Sequence, residues 1–137
     1  MAVAKPLYGS KTSISISLNG LSNGSIAISD TIDNSSTLYE DFLIEVVISG
    51  TTSSNAFCEV RLLPSEDGTN FATWDNGIPL GIVDLSSSSP QRAHFSLLGV
   101  LYKAPQYFKI AVKNNTGSAL SSSGNSASYQ GINTQIV

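Results

Sequence analysis

The side chains that could do chemistry in this sequence are few and scattered. His94 is the single histidine. A nucleophilic triad would need its imidazole between a serine hydroxyl and a carboxylate. Serines are so abundant that a nearby one would mean little, and no Gly-x-Ser-x-Gly elbow occurs. His94 alternates with Ala93 and Phe95, which predicts an outward polar residue on a strand. Carboxylates gather in two places: Asp30 and Asp33 beside Asn34, and Glu66 and Asp67 followed by Asp75. Paired carboxylates serve glycosidases, and oxygen clusters hold calcium. Neither segment follows the twelve-residue calcium-loop order, and Asp and Asn also settle in turns because they satisfy local backbone groups. Trp74, Phe71 and Tyr39 would make a sugar-stacking platform if the fold brought them together. An aromatic in a segment rich in Pro and Gly also caps a core edge, and packing is the expected role. Cys58 is the single cysteine. It excludes an internal disulfide and any zinc site of paired thiolates, and its place in the run Cys58, Val60, Leu62 predicts a small buried residue. With no phosphate loop either, no catalytic, cofactor-binding or metal-ligating residue is assigned, no cofactor is expected, and the chain is expected not to be an enzyme.

The elements that would position these residues are strands. Ile14, Ile16 and Leu18 alternate with Ser13, Ser15 and Ser17 as in a half-buried strand, and Ile26 and Ile28 with Ser25 and Ser29. Tyr39 to Ile48 is the strongest run. Its second face, Leu43, Glu45 and Val47, is partly apolar, which predicts a central strand. Phe57 to Leu63 follows, then a long punctuated stretch from Pro64 to Gly77 with two strong turn signals, Asp67-Gly68 and Asn76-Gly77. Ile78, Leu80 and Ile82 are expected inward, as are Ala93, Phe95 and Leu97, and then Phe108, Ile110 and Val112. Ser126 to Gln135 is too irregular to phase. No window carries a sustained helical period, and Leu97 to Tyr102 is expected to give one helical turn at most. The reading is all-β: a single antiparallel β-sandwich, jelly-roll or Ig-like, of about eight strands, with an N-terminal arm over residues 1–12 and the sandwich domain over 13–137.

Composition fits this. The chain has 137 residues, suited to one domain. Only 12% are charged, against about a quarter in ordinary domains. Net charge is −3 and the seven basic residues are dispersed, so no nucleic-acid partner is expected. No apolar stretch is long enough to span a membrane, and Met1 to Lys11 lacks a signal-peptide pattern, so synthesis in a host cytoplasm is expected. So few charges leave sheet edges with little protection, which favours edges covered by a partner.

Two segments carry a resemblance. Glu59-Val60-Arg61-Leu62-Leu63-Pro64 leads into Ser65-Glu66-Asp67-Gly68-Thr69-Asn70-Phe71, followed by Asp75-Asn76-Gly77-Ile78-Pro79-Leu80-Gly81. Later comes Tyr107-Phe108-Lys109-Ile110-Ala111-Val112-Lys113-Asn114-Asn115-Thr116-Gly117. Across residues 38–120 this resembles small virion structural proteins of tailed bacteriophages, of the capsid decoration or cement type. The resemblance implies attachment to the outside of a lattice of major capsid (coat) protein and a homo-oligomer, a trimer by preference. It transfers no catalytic residue. A tail, neck or fibre β-domain is the alternative within the virion, and a carbohydrate-binding module using Trp74 is the alternative outside it.

Overall fold

The computed structural model describes residues 2–137. Among them are nine strands: β1 (Ala4–Ser13), β2 (Ile26–Ile28), β3 (Ile32–Asp33), β4 (Asp41–Ile48), β5 (Phe57–Ser65), β6 (Ile78–Asp84), β7 (Gln91–Ser96), β8 (Tyr107–Asn115) and β9 (Ser126–Ile136). They form two antiparallel sheets, β1-β9-β4-β7 and β2-β8-β5-β6, with β3 also on β8. If β2 and β3 are taken as one interrupted strand, the first strand pairs the last, β2/β3 pairs β8, β4 pairs β7, and β5 pairs β6. That nested pairing is the jelly-roll wrap, one of the two sandwich topologies expected.

Alternation builds the core. Phe42, Ile44, Val46 and Ile48 of β4 face Cys58, Val60 and Leu62 of β5 and Phe108, Ile110 and Val112 of β8, all essentially without solvent contact. Each such large side chain contributes about 1.5–3 kcal/mol by leaving water. Phe42 packs edge-on to Phe108 at 5.0 Å, Tyr129 at 5.4 Å and Tyr39 at 5.5 Å between ring centroids. β4 is central, flanked by β9 and β7, as its two partly apolar faces predict.

The structure departs from the sequence pattern at three places. Ile14 to Leu18 form no ladder strand. Ile14 donates to the Ala127 carbonyl of one sheet, and Ser15 accepts from Asp30 on the way to the other. The segment crosses between sheets, and its alternation reflects Ile14 and Leu18 plugging the core margin. The ladder strand lies earlier, because β1 occupies most of the segment expected as an arm. On β6 the inward set shifts. Val60 pairs Gly81 and Arg61 pairs Pro79, so Leu80 is an extra residue. This bulge reverses the phase: Val83 is buried, whereas Ile82 is 52% exposed. Lastly, Leu63 is buried although it points opposite to Leu62, because the connection ending at Gly77 lies against it. The single helical turn expected after β7 is a turn of 3-10 helix over Leu97–Gly99.

Candidate functional site

His94 does stand next to a carboxylate. Glu45 on β4 and His94 on β7 are direct cross-strand partners, with Nε2 3.0 Å from Oε2. Arg92, the diagonal neighbour, places Nη1 2.9 Å from the same oxygen. Lys11 reaches from β1 across β9 to put Nζ 2.9 Å from Oε1. The hydrogen bond from Lys11, then those from Arg92 and His94, hold the Glu45 carboxyl down to about 2 against the opposing effect of burial. A carboxylate so stabilised is a poor proton acceptor at neutral pH. Ser128 faces Glu45 in register, but no serine hydroxyl is hydrogen-bonded to the imidazole among the described residues. The cluster is an ionic brace joining β1, β4 and β7, without the hydroxyl a triad needs.

One carboxylate of each acidic cluster is spent on its own loop, whereas those of Asp30, Glu66 and Asp75 are not brought together into a site. Asp67 accepts from the backbone N–H groups of Thr69 and Asn70, the Asn70 amide and the Ser65 hydroxyl. These bonds, Asn70 foremost, hold its carboxyl far below the usual range. Asp33 accepts from the hydroxyl and N–H of Ser35, which lower its carboxyl too. Among the described residues no group of three or more His, Cys, Asp or Glu stands together for a metal ion. Burial pushes the Cys58 thiol up to about 11, so it packs as a small apolar group.

The aromatic platform is not assembled. The Arg61 guanidinium lies 4.4 Å from the Trp74 ring centroid and donates to the Trp74 carbonyl at 2.7 Å. Lys109 covers Phe71 at 4.4 Å. Tyr39 packs on Phe42 instead, over Gly9 and Gly131. Trp74 and Phe71 thus seat the long connection on the outer face of the β5-containing sheet, a packing role.

Two surfaces that sequence reasoning missed are exposed and apolar. The first is a ribbon of both chain ends. β9 pairs β4 only as far as Ile132, yet continues with β1 to the Ala4–Ile136 pair. Beyond Ile132 it is a two-stranded ladder with Val3, Leu7, Ile136 and Val137 exposed, and Tyr8, paired with Ile132 at its base, is exposed too. The second is an open groove of about 700 Å³ at the same end of the sandwich, between the turn at residues 34–40 and the connection at 97–106. Buried Asn34 builds that turn. Its Oδ1 accepts from the Tyr39 N–H at 2.7 Å and the Thr37 hydroxyl at 2.8 Å, and its Nδ2 donates to the Tyr39 carbonyl at 2.9 Å. So held, Leu38 takes a left-handed backbone, φ 53°, with 68% of its surface exposed. The apolar run from Leu97 to Tyr102 was the sequence signal for this surface.

No family model matches the chain, and no curated protein matches its sequence. Solved structures do resemble it. BuGH86wt, crystallised in complex with neoagarooctaose, aligns at TM-score 0.56 and 12% identity over 98% of this chain. This chain spans 20% of the length of that one, so the likeness is of a fold shared with one part of it. Desmodium yellow mottle tymovirus aligns at TM-score 0.45 and 15% identity, over 99% of this chain and 81% of that one. The pili of Bacillus endospore appendages align at 0.37 and 10%, over 99% and 88%. At 12% identity the likeness to the first of these is one of fold alone.

Proposed function

We propose that this chain is a non-enzymatic structural protein of a bacteriophage virion that docks on the outside of the capsid and braces the coat-protein lattice. The observation that carries the reading is the ribbon of chain ends. An isolated two-stranded ladder is marginal in water, and this one holds four exposed apolar residues, Val3, Leu7, Ile136 and Val137, beyond the last strand that supports it, with exposed Tyr8 at its base. Such a ribbon suits insertion against a neighbouring protein. Three features support the reading: the resemblance of residues 38–120 to decoration proteins, the low charge, and the commitment of Glu45, Asp67 and Asp33 to bonds within the fold. Bracing follows from multivalency, since a body that touches several coat subunits adds interfaces that expansion must break together.

The test mixes the purified chain with particles of its phage that lack it. Saturable binding at hundreds of copies per particle is expected. Leu7→Asp combined with Tyr8→Asp should abolish binding while circular dichroism stays unchanged. Absence of binding by the unmodified chain at micromolar concentration overturns the decoration reading, and a stoichiometry of a few to tens points to a tail, neck or fibre position. Carbohydrate binding is the weaker reading, because Trp74 is stacked under Arg61 rather than open.

A further inference from the structure

The groove beside the ribbon has a separate logic. Its exposed apolar groups are Leu38, Leu98 and Tyr102, the last with 92% of its surface exposed. A leucine in the left-handed region is uncommon and strained. Here the buried Asn34 amide fixes the turn that holds Leu38 in solvent, an arrangement that costs stability in the free chain and suits an anchor for a protein surface. The rim carries both signs of charge. Glu40 and Lys103 line the same groove, and neither forms an ion pair among the described residues. A partner of single sign would be repelled by one of the two. A copy of this same surface satisfies both, because Glu40 of one molecule then faces Lys103 of the next while the apolar groups meet between them.

We propose that this end of the sandwich is a self-association surface that binds a second copy of the chain through Leu38 and Tyr102, with Glu40 and Lys103 paired between copies. The proposal names the contact of the homo-oligomer, and it needs no coat protein. Sedimentation velocity on the full chain from 1 to 200 µM tests it. The unmodified chain is expected to assemble. Leu38→Asp should raise the dissociation constant at least about tenfold. Glu40→Lys and Lys103→Glu should each weaken assembly by about tenfold, because each creates a like-charge contact, and the double variant should recover it. Thermal unfolding of each variant verifies the fold, and Leu38→Gly, which relieves the backbone while removing the anchor, should be monomeric yet at least as stable as the parent. A monomeric parent at 200 µM, or a double charge variant no better than the singles, overturns the proposal. Capsid binding without self-association sinks this inference alone. Self-association without capsid binding leaves it standing and removes the decoration reading.

Discussion

At the scale of single residues, Glu45 ties more of the sheet together than any other polar group. It accepts from Lys11 on one edge strand and from Arg92 and His94 on the other, and its side chain is only 13% exposed. Exposed partners limit what the network is worth, and Glu45→Gln should cost about 1 kcal/mol at pH 7. The sign of the pH dependence follows from the direction of the shift. The folded carboxyl titrates near 2 and the unfolded one near its ordinary 4.5, so the unfolded chain binds more protons between these values. The contribution is complete above pH 4.5 and fades as pH falls toward 2. Urea titrations of parent and Glu45→Gln should therefore differ most at neutral pH and converge below pH 3. A gap that stays constant down to pH 2.5 would refute this account. The outward place of His94 was legible from its alternation with Ala93 and Phe95. Its partner was not, because Glu45 lies 49 residues earlier and only the strand register joins them.

At the scale of elements, close approach between backbone and ring decides what alternation cannot. Tyr39 lies flat over Gly131 of β9, where a Cβ would stand 2.3 Å from the ring. Gly131→Ala must push the ring off its contact with Phe42, at a cost of about 1–3 kcal/mol. In a Tyr39→Ala background the same change should be nearly neutral, so a double-mutant cycle in urea should show strong coupling, and additive losses would disprove the contact. Gly81 plays the parallel part in β6, with φ +154° and the Phe95 ring 2.6 Å from where its Cβ would be. These glycines explain which strands were readable. β4, β5 and β8 are regular, and period two gave their inward residues. β6 carries a bulge fitted to the Phe95 ring on the neighbouring sheet, a tertiary fact absent from its own residues. In β9 no apolar alternation survives, because Gly131 sits beneath Tyr39 and Asn133 hydrogen-bonds the Glu40 N–H.

At the scale of the whole molecule, the nested wrap makes β1 and β9 the outermost pair and leaves β1 with one neighbour. Val3 and Val137 exchange both backbone hydrogen bonds, so Lys5 and Leu7 also point their N–H groups at β9. Ala4, Pro6 and Tyr8 then point theirs at the free edge, where Pro6 has no N–H to offer. Pro6, the flanking Lys5 and the bulge between Tyr8 and Lys11 discourage strand addition along this edge. The association proposed above therefore rests on side chains, those of the ribbon and of the groove, rather than on strand addition to β1. The same geometry sets a gradient of local stability. The ribbon is ordered by one ladder with little burial, whereas Ile44, Val60 and Ile110 sit in central strands with complete burial. Opening of the ribbon should need far less than global unfolding. In the free chain the bonded amides of Lys5 and Leu7 should exchange with solvent at least about a hundredfold faster than those of Ile44, Val60 and Ile110, as read by hydrogen exchange at pH 7. Docking on a particle should slow the ribbon amides and leave the core amides unchanged. Equal protection of ribbon and core in the free chain would mean that the ends are braced by something other than the single ladder, and would remove the physical reason for the ribbon to seek a partner.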